Sequence, residues 1–135
     1  MIFYKVGLPD LPGEFARIDN RLQALLIYTS GLVDYLYSQH VVVTMLLRSQ
    51  AEQDRIYGAD PAYQARPWKS VHQVGRGVDI RSYTYTRSQI DNIVAEINSS
   101  YLYSAQHPTA LYHDVGQGAH IHLQVPATSG RQYFI

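Results

Sequence analysis

Apolar positions along the chain change period several times, and each change marks an element. Phe15, Ile18, Leu22, Leu25, Leu26, Val33 and Leu36 recur at three- and four-residue spacing, which predicts an amphipathic helix over about 15–38. Residues 41–47 form a continuous apolar run rich in β-branched side chains, the pattern of a short, fully buried central strand ending at Arg48. Ser49-Gln50-Ala51-Glu52 is an S-x-x-E capping box, so a short helix should start there and stop at Gly58. Residues 59–71 contain two prolines and mixed polar groups and read as a loop, and 75–81 should pass from a turn into a strand. Thr86-Arg87-Ser88-Gln89 is a second capping box, followed by the buried face Ile90, Ile93, Val94 and Ile97. Two short strands over 110–115 and 120–125 flank Gly116-Gln117-Gly118, which suits a hairpin turn. Residues 1–13, closing with Leu8-Pro9-Asp10-Leu11-Pro12-Gly13, read as an N-terminal arm or turn. Helices and strands do not alternate strictly, so the expected class is α+β: a small antiparallel or mixed sheet with helices packed against it.

Composition narrows the picture. A chain of 135 residues fits one domain over 1–135, and 46% hydrophobic against 16% charged residues allows an ordered core. Eleven basic residues balance eleven acidic ones, which argues against a nucleic-acid partner or a polybasic membrane contact. No stretch approaches the roughly 18 apolar residues of a membrane span, and the N-terminus does not read as a signal peptide. A cytoplasmic product is expected as synthesised, acting as a monomer. The absence of cysteine excludes disulfides, thiolate metal sites and cysteine nucleophiles, so any metal must be held by His, Asp or Glu.

Chemistry concentrates in two segments. In Ser70-Val71-His72-Gln73-Val74-Gly75-Arg76-Gly77-Val78-Asp79, a chain reversal at Gly75 would bring the His72 imidazole beside the Asp79 carboxylate, either as a hydrogen-bonded structural pair or as two metal ligands. In Gly118-Ala119-His120-Ile121-His122-Leu123, strand alternation would aim His120 and His122 to one face and Ile121 and Leu123 into the core. Two buried imidazoles need partners. Together the segments offer imidazoles and a carboxylate, a donor set that suits zinc with an open position for water. No G-x-S-x-G elbow, H-E-x-x-H, Walker A loop or dinucleotide fingerprint is present.

The pattern S-x-H-x-x-G-x-(small)-x-D followed by H-x-H resembles the zinc D-alanyl-D-alanine carboxypeptidases and L-alanyl-D-glutamate endolysins, whose metal frame is similar to the hedgehog signalling domain. The likeness spans about residues 41–126. It implies a hedgehog/D-alanyl-D-alanine peptidase fold, Zn2+ as cofactor, His72, Asp79 and His122 as its ligands, and a peptidoglycan stem peptide as substrate. It also implies Arg48 as a contact to the peptide's carbonyl or carboxylate oxygens, with Ser70 and Gln53 as supporting polar groups; the ordinary alternatives are a surface ion pair, a loop cap and a solvated helix residue.

Two departures stand out. Many of the D-alanyl peptidases that the chain resembles place a Glu or Asp three positions before the last His ligand as general base; here that position is Ala119, so the base must be Asp114 or His120. The reading favoured at this level makes Asp114 the base and His120 the transition-state stabiliser. Gly77 stands where the family has Ala, a change conservative in volume. His40, His107 and His113 are expected in structural roles, and Trp68 either lines a cleft or covers it. The expected activity is hydrolysis of wall peptides after lysis-type release; the alternative is a non-catalytic, hedgehog-like zinc-containing binding module.

Overall fold

The computed structural model describes residues 1–7, 10–103, 107–116 and 118–127, so Leu8, Pro9 and Gln117 of the two expected turns lie outside it. Five strands, β1 (Ile2–Tyr4), β2 (Val41–Met45), β3 (Gly77–Arg81), β4 (Ala110–His113) and β5 (His120–Gln124), form one mixed sheet in the order β1-β2-β3-β5-β4. β1 runs parallel to β2 and the other pairs are antiparallel. Five α-helices accompany the sheet among the described residues: α1 (Leu11–Phe15), α2 (Asn20–Tyr37), α3 (Gln50–Tyr57), α4 (Pro61–Ala65) and α5 (Arg87–Ser100). The architecture is α+β. None of the described helices is long and apolar enough to cross a membrane.

The sheet has two unlike faces. Val41, Val43, Val78, Ile80, Ile121 and Leu123 join Leu22, Leu25 and Leu26 of α2 and Ile90, Ile93 and Ile97 of α5 in one core. Each such side chain contributes about 1.5–3 kcal/mol by leaving water. Because strand residues alternate, that burial forces Asp79, Arg81, His120, His122 and Gln124 onto the other face. β2 joins this arrangement through a bulge: Val43 pairs with Ile80 but Met45 pairs with Asp79, so the extra residue turns Met45 toward the polar face.

Several boundaries differ from the sequence expectation. Residues 1–13 are not simply an arm, since Ile2–Tyr4 is an edge strand and Leu11–Phe15 a helix, with Pro12 tolerated in its first turn. The helix expected over 15–38 begins at Asn20, because the Asp19 carboxylate accepts the Arg21 N–H at 2.8 Å and caps a new helix there. The segment 59–71 contains α4, started by the Asp60 side chain accepting from the Ala62 N–H. β2 is an interior strand, as expected, flanked by β1 and by β3 at the middle of the sheet. Both predicted capping boxes start helices: Ser49 Oγ accepts from the Glu52 N–H, and Thr86 and Gln89 cap α5 reciprocally.

Candidate metal centre

The His72–Asp79 reversal is built from local rules. Ser70 Oγ accepts the His72 N–H at 3.1 Å and the Gln73 side chain accepts the Ser70 N–H, starting a 3-10 turn over Val71–Val74. Gly75 then takes φ 72°, a left-handed conformation that ends the turn at little cost only for glycine. Gly77 opens β3 with no room for a side chain: a Cβ there would lie 2.5 Å from Val71 Cγ2 and 3.1 Å from His122 Cε1. The Ala of the resembling family is therefore not a neutral replacement here. Gly77→Ala should cost about 1–3 kcal/mol and press on the His122 ring. Urea unfolding together with zinc competition measures both effects, and no change in either would mean that the segment relaxes freely.

Three imidazoles surround one carboxylate oxygen. Asp79 Oδ1 lies 3.1 Å from His72 Nε2, 2.8 Å from His122 Nδ1 and 3.4 Å from His120 Nε2. The opposite nitrogen of each ring is already committed. His72 Nδ1 is 3.0 Å from the Leu46 carbonyl, and His120 Nδ1 is 3.0 Å from the Gly118 carbonyl; a carbonyl only accepts, so both nitrogens carry the proton. His122 Nε2 is 3.0 Å from Gln124 Oε1, and Gln124 in turn donates through Nε2 to the Pro108 carbonyl at 2.8 Å, which fixes the amide's orientation. Each neutral ring therefore presents a lone pair to an anionic oxygen. Only positive charge between them makes this arrangement favourable, either protons or a metal ion.

The donor set fits a metal. His72, Asp79 and His122 are buried, and their ligand atoms all lie within 4.8 Å of one another. A tetrahedral zinc site with bonds of about 2.0–2.2 Å has ligand–ligand edges of about 3.3 Å. The contacts of 2.8 and 3.1 Å need open by only a few tenths of an ångström.

Burial by itself would raise the Asp79 carboxyl, but the charges and hydrogen bonds of His72 and His122 outweigh it and hold the group well below 3.8. Burial also lowers His122 below its ordinary 6.5. Both groups bind fewer protons folded than unfolded, so their contribution to stability is present at neutral pH and lost as pH falls. The melting temperature of the metal-free protein should fall as pH drops below about 6.5, and more steeply below about 4, where the unfolded carboxyl protonates. A flat profile between pH 7 and 4 would contradict this electrostatic account.

The remaining predicted residues divide. Arg48, Gln53 and Ser70 do come together: Arg48 Nη1 donates to Gln53 Oε1 at 2.8 Å and to Ser70 Oγ at 3.2 Å, and all three are buried. Arg48 is 4% exposed, has no carboxylate partner among the described residues, leaves Nε without an acceptor, and offers Nη2 only the Met45 thioether. Arg48, Asp79 and His120 line a cleft of about 300 Å³. Asp114 is not among its lining residues: it is exposed, and its Oδ1 accepts the Gly116 and Gly118 N–H groups at 2.7 and 3.1 Å. Its carboxylate shapes the hairpin, which removes the basis for making it the base. Trp68 does not line the cleft and instead packs edge-on against Tyr57 and Tyr63.

Two participants escaped the sequence reading. Gln124 orients His122, and its signal was available in the H-x-H-x-Q alternation. His113 pairs with His120 across the hairpin, its ring 4.7 Å from that of His120 and 5.4 Å from that of His122. Burial lowers the His113 pKa to about 4, so it stays neutral beside the centre.

No protein-family model matches the chain, and no curated protein matches it in sequence.

Proposed function

We propose that the chain is a zinc peptidase of the hedgehog/D-alanyl-D-alanine peptidase type that hydrolyses amide bonds in peptidoglycan stem peptides. The observation carrying this reading is the convergence of oriented imidazole lone pairs and a carboxylate where a cleft holds a buried guanidinium without a counter-ion. His72, Asp79 and His122 would hold the zinc, which supplies polarisation of a carbonyl and a water acidified to about pKa 7.

The chain's own groups supply the rest. Arg48 Nε makes no hydrogen bond and Nη2 meets only a thioether sulfur, so this edge suits a substrate carbonyl or carboxylate, and a carboxylate would also neutralise the buried charge. His120 is held by the Gly118 carbonyl so that Nε2 is free to accept a proton from water and return it to the leaving amine.

Synthetic stem peptides incubated with the purified protein test the proposal. Hydrolysis should require zinc, stop with chelator and return on zinc addition. His120→Ala should lower kcat by about 10²–10⁴ while keeping the metal. One observation favours the binding-module alternative: Ala119 supplies no acid and Asp114 is committed to its turn. Zinc and peptide binding without any turnover would decide for it.

A further inference from the structure

The chain has no cysteine and two methionines, so Met1 and Met45 carry its only sulfur atoms. The two sit in unlike places. Met1 is exposed at the terminus, whereas Met45 is half-buried and lines the cleft with Thr44, Arg48 and Asp79. The bulge in β2 sets Met45 opposite Asp79 and turns it toward the polar face of the sheet. Its Sδ lies 2.9 Å from Arg48 Nη2. A thioether is a weak acceptor, so that N–H is poorly satisfied, and the neighbouring Arg48 Nε makes no hydrogen bond. Nη1 is held by Gln53 and Ser70, which fixes the guanidinium with Nη2 against the sulfur. Oxidation converts an apolar thioether into a polar sulfoxide, whose oxygen accepts hydrogen bonds. Hydrogen peroxide entering the cleft supplies that oxygen. The sulfur lone pair attacks one peroxide oxygen, an S–O bond forms as the O–O bond breaks, and sulfur is oxidised by two electrons. The displaced hydroxide takes the proton left on the transferred oxygen and departs as water.

We propose that Met45 is a reversible oxidation site, at which the sulfoxide oxygen occupies the Nε/Nη2 edge of Arg48 and closes the cleft to peptides. The effect on peptides rests on the peptidase reading; the modification itself does not. The test treats the zinc-loaded protein with hydrogen peroxide and maps the products by mass spectrometry, with the exposed Met1 reporting the dose. Oxidation of Met45 should weaken binding of a synthetic stem peptide, read by fluorescence anisotropy, about 10–100-fold, the factor that a hydrogen bond to a charged group contributes. Methionine sulfoxide reductases, one for each epimer, should restore it. Zinc content should not change. The melting temperature should hold or rise, because the new oxygen gives a buried cation the acceptor it lacks. Peroxide should leave Met45→Leu at that variant's own untreated affinity; if the variant does not fold, reversal by the reductases in the wild type makes the same comparison. Four results would overturn the proposal: Met45 unmodified while Met1 is oxidised, full affinity with Met45 oxidised, affinity that the reductases do not restore, or a melting temperature that falls on oxidation. If the untreated protein binds no peptide, the peptidase reading falls and the Arg48 Nε–H resonance still decides. That signal should shift when Met45 is oxidised and return on reduction, and an unmoved signal rejects the site.

Discussion

Replacing His122 with alanine is expected to reduce bound zinc from about one ion per chain to almost none, and to destabilise the protein even without metal. His122 is fully buried and its two ring nitrogens serve two partners: Nδ1 meets Asp79 Oδ1 at 2.8 Å and Nε2 meets Gln124 Oε1 at 3.0 Å. Truncation leaves the buried Gln124 amide short of a partner and a cavity where the ring stood, which together cost about 2–5 kcal/mol. The metal contribution adds separately, since an ion bound only by the folded state stabilises it by about 4 kcal/mol at a thousandfold excess over Kd. Melting with and without zinc separates the two effects. The wild type should gain stability on zinc addition, and His122→Ala should start lower and gain nothing. A variant that still gains stability would mean that zinc binds somewhere else.

The second large effect separates function from stability. Arg48→Met should lower kcat/KM for stem peptides by about 10²–10³, the usual loss when a donor to developing or substrate charge is removed. Its stability should stay within about 2 kcal/mol of wild type. The reason is the unusual isolation of this guanidinium, which is 4% exposed, lacks a carboxylate, and has an unpartnered Nε and a thioether for its Nη2. Exchanging a desolvated, uncompensated charge for an apolar chain of similar length removes a burial penalty that offsets the lost bonds to Gln53 and Ser70. Urea unfolding and kinetics on the same preparation check both halves. A collapse of stability would make Arg48 a structural residue.

Much of the site was legible because it depends on short-range rules. Period-two alternation places His120 and His122 on one face whatever the sheet around them, and Gly75 marks the reversal between His72 and Asp79. What was hidden depends on partners distant in sequence. Ile2–Tyr4 is too short to carry a pattern of its own and is a strand only because Val41–Val43 lies alongside. His113 reaches the centre through its register with His120, which residues 110–115 do not encode by themselves. Asp60-Pro61 reads as a breaker until it is seen as a cap followed by the first helical position. Asp114 looked like a free carboxylate because an Asx turn and a catalytic acid have the same letter. Gly77 looked exchangeable with Ala because sequence holds no record of the Val71 methyl and the His122 ring against it.

The lone-pair geometry around Asp79 is the premise beneath every functional statement. Zinc-edge anomalous diffraction from crystals of the zinc-loaded protein tests it most directly. The account predicts a single strong peak bonded at about 2.0–2.2 Å to His72 Nε2, an Asp79 carboxylate oxygen and His122 Nδ1. No peak among these side chains, or one that leaves His122 Nδ1 facing an uncoordinated Asp79, would contradict it.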